Sequence, residues 1–571
     1  MTRWTLGISH TLHESAACLL RDQEIVFASA EERFSRVKQD SGFPRRSIQA
    51  ALEHAGISAD QLTAVGISMP HPVHGLLHDV KCLITGAVPR RRWHAISPLF
   101  GYLDHRGGRS TSRLAHSHLK IDKPLLVHAG RHHRSHAWSA AIMSGDPASA
   151  VIVADGRGAK NSSSIWLHRG SQLEPVEAKT FPDSLGLFYA RITQYLGFEP
   201  FADEWKVMGL ASYGDPGIVM EPLLRVSDDD YSVNGRALLG RGFGDLSYLE
   251  ALFGPARHPD EPILDRHRDV AFAAQNAVEA AMLALVRRAV RMTGVRSIAL
   301  AGGVALNCKA NGLVLASGAV DRLVVQPAAG DDGASIGSAI DAYHLSGGGG
   351  IPEPLLHTSL GRGVPDHDIE STLSGYKVKF RRVEDPALEA AERLARSEVV
   401  GWFQGRAEFG PRALGNRSIL ADPRQPETRD RVNKAVKYRE TWRPFAPSIL
   451  AEHAPRFFES CRDSPFMILT FPATESARAS IPAVVHVDGT SRVQTVTKEA
   501  NPVYERLLRH FYQLTGVPAV LNTSFNLKGD PIVNDVRDAV QTFFTSGLDA
   551  LVIGSFCVSK HEQTHDALSF P

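Results

Sequence analysis

The chain has 571 residues, with 63 Lys and Arg against 62 Asp and Glu and a formal net charge of +1. That length gives two or more domains room for a core each, and 43% hydrophobic with 22% charged residues is ordinary for a folded protein. The balanced charge argues against a bulk nucleic-acid or membrane partner. The five cysteines, Cys18, Cys82, Cys308, Cys461 and Cys557, are scattered, odd in number and free of any CxxC pair, which predicts reduced thiols in a cytoplasm. The start, MTRWTLGISH, lacks a basic-then-apolar signal, and no apolar run reads as long enough to span a bilayer.

The first predicted elements lie in TLGISHTLHESAACLLRDQEIVFASAEERFSR, where apolar runs flank RDQE as strand, turn and strand. His71, His74 and His78 in HPVHGLLHDV read as a solvated helix face. Next comes HAGRHHRSHAWSAAI, at 128–142, with His132 and His136 four apart. One helical turn puts both imidazoles on one face, the usual start of a metal site. By themselves they are more often a chance pair in a chain with 25 histidines, and the pair needs further ligands before it means anything. ASAVIVADGRG (148–158) and NSSSIWLHRG (161–170) form a second strand pair. A long helix follows near 268–293; Ala274, Val278, Ala281 and Leu285 share a stripe and Gly294 ends it. VRSIALAGGVALNCKANG and DRLVVQPAAGDDGASIGSAI each read as strand, glycine loop and helix, which predicts an α/β domain. LSGGGGIPEP (345–354) is the linker candidate. Beyond it EVVGWFQG reads as a strand, TRDRVNKAVKY as a helix and DALVIGSFCVSK as a late strand, giving a smaller α/β or α+β domain.

Asp155 ends the strand AVIVAD and Asp331 lies between a strand and a helix start, so both are candidate ligands beside His132 and His136. A two-His, two-carboxylate set suits Fe(II), Mn(II) or Zn(II); a turn former or helix cap is the plainer role for each Asp. Gly302 and Gly303 let backbone approach an anion at a helix start, or simply make a tight turn; no GK[ST] follows, so this is not a Walker loop. His13 follows the first strand and suits a general base, and Lys38 suits a phosphate or developing charge, but on residues alone a surface imidazole and a solvated charged face are the plainer readings. In the second domain GRAEFGPRALGNRSILADP, NKAVKYRETWRPFAP, HVDGTSRVQ and LNTSFNLKGDP bring Arg412, Lys437, Arg439, Arg443 and Arg492 into glycine-containing loops beside the donors Asn522, Thr523 and Ser524. Such loops suit a small phosphorylated ligand, since arginine grips phosphate with two parallel hydrogen bonds. Salt bridging to Glu408, Asp422, Glu440 and Asp488 is the alternative for any one of them.

Together AEERFSRVKQD, HHRSHA, VADGRG, EWKVMGLASYG, LAGGVALNCKANG, GDDGASIGSA, GWFQGRAEFGPRALGNRSILADPR, KYRETWRPFAPS, VDGTSRVQTV and LNTSFNLKGDPIV resemble the ATP-dependent O-carbamoyltransferases of antibiotic and nodulation-factor biosynthesis, in family order over nearly the whole chain. The resemblance implies a first domain (1–345) like the universal tRNA threonylcarbamoyl-transfer protein (Kae1-like), on the actin and sugar-kinase type of α/β fold. It also implies a linker at 346–355 and a second, YrdC-like α/β domain at 356–571. The second domain is expected to join carbamoyl phosphate and ATP into carbamoyl-adenylate. The first then passes the carbamoyl group to a hydroxyl of a small natural product as AMP leaves.

Residue by residue, His132, His136, Asp155 and Asp331 match the family's metal ligands, with Fe(II) implied there and Mg²⁺ with ATP. His133 is not expected to be a ligand. Gly302, Gly303, Asn307 and Lys206 match nucleotide positions, and His13 and Lys38 match residues used in transfer. Arg412, Lys437, Arg443, Arg492, Asn522 and Ser524 match the carbamoyl phosphate and adenylate site. Two positions depart from the pattern: His13 is followed by Glu14 rather than Asp, and Trp205 replaces the glycine before Lys206. Residues 71–120 match least. No nucleic-acid or membrane partner is expected; a homodimer is compatible with the reading, and the sequence leaves the oligomeric state and the acceptor open. Rival readings are a sugar-kinase-like phosphotransferase, a tRNA-modifying enzyme and an iron- and nucleotide-binding scaffold.

Overall fold

The computed structural model describes residues 2–11, 13–69, 118–119, 125–158, 160–440 and 442–564. His71, His74, His78 and nearly all of 71–120 lie outside the described residues. The chain forms two compact units: residues 1–31 with 39–355, and residues 32–38 with 356–571. The segment 32–38, read from sequence with the first domain, clusters with the second unit. There Arg33 donates to the Gly410 carbonyl at 2.7 Å, and Arg36 donates to the Ile532 and Pro531 carbonyls and pairs with Asp538 at 3.2 Å.

The first unit holds two five-stranded sheets of one topology. Strands β1 (Trp4–His10), β2 (Ser15–Arg21) and β3 (Glu24–Ala30) are antiparallel neighbours, and β4 (Ala64–Met69) and β5 (Leu126–Arg131) add in parallel on the other side of β1. Strands β6 (Ala148–Gly158), β7 (Asn161–Arg169) and β8 (Gln172–Thr180) repeat the antiparallel part. A small ribbon, β9 (Leu224–Val226) with β10 (Tyr231–Val233), intervenes. Then β11 (Ser297–Ala301) and β12 (Arg322–Val325) repeat the parallel part on β6. This duplicated plan is the mixed α/β architecture expected of the actin and sugar-kinase type.

Helix Ala334–Leu345 lies on the first sheet and helix His132–Ala141 on the second, and the two helices pack on each other. Missing side chains make this contact close. A Cβ on Gly7 would come within 2.0 Å of the Ser335 carbonyl oxygen, one on Gly66 within 1.9 Å of that of Ser338, and one on Gly337 within 1.7 Å of that of Ser135. Helix His132–Ala141 is buried at every residue but Arg134, and its Ser and Ala residues are small enough to allow that.

The long helix runs Asp265–Thr293 and ends at Gly294 in the left-handed conformation, with the predicted stripe Ala274, Val278, Ala281 and Leu285 buried. By length and composition it could cross a membrane, which corrects the expectation that no run is long enough. However, 56% of its apolar window is buried, against helices Leu185–Tyr195, Glu204–Leu210 and Cys308–Ala316. That is the burial of a core helix.

The second unit is built on an eight-stranded mixed sheet. Its strands are β13 (Arg381–Arg382), β14 (Val400–Phe403), β15 (Arg417–Ala421), β16 (Ala446–Leu450), β19 (Gln494–Val496), β20 (Ala519–Ser524), β21 (Ala550–Ile553) and β22 (Phe556–Ser559), in the order β13-β22-β21-β14-β15-β20-β16-β19. A separate ribbon pairs β17 (Thr470–Pro472) with β18 (Thr490–Arg492). The predicted single late strand is a hairpin, because Gly554 at φ 52° turns the chain between β21 and β22. The predicted helix over TRDRVNKAVKY is α-helical at Glu427–Arg431 and widens to a π-helical turn at Val432–Val436. Cys18, Cys308 and Cys557 are buried free thiols and Cys461 is a half-buried one.

Gly337→Ala should destabilise the protein by about 1–3 kcal/mol through overpacking. Urea unfolding should show it, with a metal affinity that falls in parallel.

Candidate functional site

The first unit's layers end in one place. His132 opens helix His132–Ala141, and His136 follows one turn later. Asp331 lies in the single turn Asp331–Gly333 that leads into helix Ala334–Leu345, and Asp155 projects near the end of the long central strand β6. Four ligand atoms, one from each, lie within 4.8 Å of one another. His132 Nε2 is 3.1 Å from His136 Nε2 and 3.3 Å from both Asp155 Oδ2 and Asp331 Oδ1; His136 Nε2 is 3.3 Å from Asp331 Oδ1. Donors at about 2.0–2.2 Å from one small divalent ion sit roughly 3–3.5 Å apart, so the set fits such an ion. Two imidazole nitrogens facing each other also need something between them, because two neutral lone pairs repel.

The electrostatics agree. Burial works against a charged His132, yet Asp331 and Asp155 outweigh it and raise its pKa to about 10. Burial likewise opposes ionisation of Asp155, but His132 and His136 bring it down to about 2, and Asp331 is held well below the carboxylate range by the same two rings. The cluster thus demands a cation: a proton on His132 when nothing else is there, a metal ion otherwise.

The neighbourhood positions the set. Ser68 Oγ meets His132 Nδ1 at 3.4 Å, and a Cβ on Gly158 would overlap the rings of His132 and His133. His133 turns away, with Nδ1 on Ser164 Oγ at 2.8 Å, and its burial pushes its pKa down to about 3. It is not among the four residues whose ligand atoms converge.

The turn expected to touch nucleotide adjoins this cluster. Gly302, at φ 90°, could not carry a Cβ, which would lie 2.3 Å from the Ala154 carbonyl oxygen; the next residue, Gly303, donates its N–H to Asp155 Oδ1 at 3.3 Å. Asn307 caps helix Cys308–Ala316 and exchanges two amide hydrogen bonds with Gln275, at 2.9 and 3.0 Å, so it braces the turn. Lys206 pairs with Asp203 at 2.7 Å, and its ammonium lies 5.3 Å from the Phe198 ring and 5.5 Å from that of Trp205. His13 is exposed after β1, its ring stacked on Phe201 at 5.2 Å. Phe201 is left-handed at φ 63°, pinned by its N–H on Glu204 at 2.5 Å and by Gln39 on its carbonyl at 2.9 Å. Glu14 reaches the backbone before Asp331: its Oε2 would be 3.3 Å from a Cβ on Gly330.

In the second unit, Arg412 rides the loop between β14 and β15. Buried Glu408 gathers that loop, accepting from the N–H groups of Leu414, Asn416 and Arg417 at 2.7, 2.8 and 3.2 Å. Asn522 is buried in β20 and donates to the Ala413 carbonyl at 3.2 Å and to Ser448 Oγ at 3.0 Å, so it ties this loop to the sheet. Lys437 is buried, and its ammonium faces the Ser524 carbonyl at 2.6 Å, Ser524 Oγ at 3.2 Å, and Asn526 O and Oδ1 at 2.9 and 2.7 Å. Burial, then Arg439, Arg443 and Lys38, depress its pKa strongly. Lys38, exposed in the 32–38 segment, thus bears on this cation cluster. Arg443 lies 3.7 Å from Glu440, and Arg492 ends β18.

Sequence reading missed Ser68, Glu408 as a loop organiser, Asn433 and Asn526. All four act as hydrogen-bonding braces whose partners the fold selects, and no local pattern announces them.

Residues 4–69 and 102–340 match the family model for the carbamoyltransferase N-terminus, and 391–560 that for the C-terminus. The chain is 39% identical to nodulation protein NolNO of Sinorhizobium fredii, over 98% of this chain and 82% of that protein. It is 36% identical to a 3'-hydroxymethylcephem-O-carbamoyltransferase of Amycolatopsis lactamdurans, over 46% of this chain and 49% of that one. Among solved structures, HypF of T. kodakarensis aligns at 13% identity and a TM-score of 0.33, over 61% of this chain and 48% of HypF. With both halves matched and a relative this similar over nearly its full length, the chain belongs to the carbamoyltransferase family.

Proposed function

We propose that this carbamoyltransferase is an ATP-dependent O-carbamoyltransferase, and that its second unit makes carbamoyl-adenylate from carbamoyl phosphate and ATP while its first unit delivers the carbamoyl group to a hydroxyl of a small molecule. The observation that carries the reading is the crowding of Lys437, Arg439 and Arg443 in the second unit, where burial is the largest influence on Lys437 and Arg439. Like charges withdrawn from water need an anion, and phosphoryl oxygens supply one.

In that unit Arg412, Arg443 and Arg492 gather phosphate charge. Lys437 fixes the end of β20 through Ser524 and Asn526, Asn522 anchors the Arg412 loop, and Lys38 adds positive charge. This is positioning and charge stabilisation, which is most of what phosphoryl chemistry asks of a protein. Water cleaves carbamoyl phosphate to phosphate and carbamate, and a carbamate oxygen then attacks the α-phosphorus of ATP, so that the mixed anhydride forms as pyrophosphate leaves. Mg²⁺ accompanies ATP as its counter-ion.

In the first unit His132, His136, Asp155 and Asp331 would hold Fe(II), whose chemistry when bound is that of a Lewis acid toward the adenylate. Gly302 makes the tight turn and exposed Gly303 leaves backbone open to the nucleotide, with Asn307 bracing the turn and Lys206 as a further nucleotide contact. His13 takes the proton of the acceptor hydroxyl as the C–O bond forms, and AMP leaves. Relatives named for nodulation and for a hydroxymethylcephem place hydroxylated small molecules first among acceptors to try. The free thiols of Cys18, Cys308, Cys461 and Cys557 support a cytoplasmic setting for the reaction.

The test is incubation with carbamoyl phosphate, Mg-ATP and hydroxylated natural products. AMP, pyrophosphate and a carbamoylated product are expected; ADP as the only nucleotide product would replace this reading with a kinase. Arg412→Ala should abolish carbamoyl-phosphate-dependent pyrophosphate release, and undiminished release would remove Arg412 from the site. His13→Asn should retain that release while transfer falls by about 10²–10⁴-fold; normal transfer would take the proton-acceptor role from His13. His136→Ala should lose stoichiometric Fe(II), counted by elemental analysis after anaerobic loading, with the fold unchanged by circular dichroism.

A further inference from the structure

In the first unit, Phe201 holds a backbone conformation that packing alone does not explain. A bulky residue rarely adopts φ 63°, and where one does its surroundings must hold it there. Here they do. Glu204 accepts the Phe201 N–H at 2.5 Å, and Gln39 Nε2 donates to the Phe201 carbonyl at 2.9 Å. The loop around it is closed as well. The Asp203 N–H donates to the Glu199 carbonyl at 2.9 Å, the Glu199 N–H to Asp203 Oδ2 at 3.2 Å, and Trp205 Nε1 to the Ala202 carbonyl at 3.0 Å.

The ring so held has three neighbours. The His13 imidazole lies on it, with centroids 5.2 Å apart and 25° between the planes. Phe243 meets it at 5.6 Å and 60°. Its Cε1 edge faces Gly156, where a Cβ would lie 3.6 Å away, and Gly156 follows Asp155 of the metal-binding cluster. Phe201 is only half-buried, so the strained backbone does not serve to fill the core. It brings a flat apolar surface against both the exposed His13 and the turn after Asp155. The His13 backbone N–H is tied to Thr11 Oγ1 at 3.4 Å, which leaves the side-chain torsions to be fixed by something else, and the outer torsion of a histidine is broad. Stacking fixes them. It covers a face of the imidazole and not the rim that carries its two nitrogens, which is where a base needs to be reached.

We propose that Phe201 is a positioning residue for His13: its ring is the floor on which the imidazole lies, and Gln39 and Glu204 hold the backbone that aims it. This rests on the reading that His13 takes the proton of the acceptor hydroxyl.

Full-length Phe201→Gly, Phe201→Leu and Phe201→Tyr variants test it, with circular dichroism as the check on folding. Glycine accepts the left-handed backbone and removes the ring, so a loss there is the ring's. Tyrosine keeps the ring. The first readout is the rate at which diethyl pyrocarbonate modifies His13, followed by peptide mass spectrometry. It should rise several-fold in Phe201→Gly and stay at the wild-type rate in Phe201→Tyr. The second is carbamoyl transfer to the hydroxylated natural product that the wild type carbamoylates in the incubation above. Phe201→Gly should lower transfer about tenfold to a hundredfold in the wild-type background. In a His13→Asn background it should change transfer little, because a residue that acts through His13 then has nothing to position. Phe201→Tyr should keep transfer near the wild-type rate. An equal loss in both backgrounds, or an unchanged modification rate in Phe201→Gly, overturns the proposal; should Phe201→Gly not fold, Phe201→Leu takes its place in both measurements. Normal transfer by His13→Asn alone, or no acceptor carbamoylated by the wild type, overturns the functional reading instead, and the modification rate then decides for Phe201.

Discussion

A charge withdrawn from water must be met by an opposite charge or a full set of hydrogen bonds, and both candidate sites are built around that demand. In the first unit two carboxylates are held against two imidazoles with little solvent between them. In the second, a buried ammonium faces four oxygen atoms of Ser524 and Asn526 while guanidinium groups crowd behind it. The first arrangement is short of a cation and the second is short of an anion. Each unit therefore carries an electrostatic demand that a bound ion would meet.

Close packing makes the first imprint sharp. Without side chains at Gly7, Gly66 and Gly337, two helices settle deeply between two sheets, and the starts of both helices come to the end of β6. The ligands then sit on the ends of rigid elements, not on loops. That lowers the reorganisation needed when a small ion binds, because the donor spacing is already that of its coordination shell. Gly302 and Gly303 extend the same economy to the adjoining turn, where Asp155 uses one oxygen toward the His pair and the other toward a backbone N–H.

Much of this was legible from residues alone. The alternation in ASAVIVADGRG, the stripe through Ala274, Val278, Ala281 and Leu285, and the glycine at 294 reflect local periodicity and backbone freedom, which act over a few residues. The His132 and His136 pair was legible for the same reason, since one helical turn fixes their spacing. The late hairpin at Gly554 was not, because a glycine within an apolar run reads as a tolerated strand residue until pairing decides it. Nor was the placement of residues 32–38 with the second unit, which depends on carbonyls nearly 500 positions away accepting from Arg36. The long helix, read at 268–293 and found at Asp265–Thr293, was legible too, but not that one window of it is apolar enough to cross a membrane.

The sequence by itself determined the α/β character, the chemistry of the donors and, through ten short motifs in order, the carbamoyltransferase family. Those properties belong to residue type and spacing along the chain. Only the tertiary structure decided that His132, His136, Asp155 and Asp331 meet at one point, that His133 does not, that Asn307 and Lys206 are engaged by neighbours, and that Asn433 bonds both Arg439 and Arg443. Those depend on which distant segments exclude water from each other. That is a matter of packing between elements tens to hundreds of residues apart, and no local pattern encodes it.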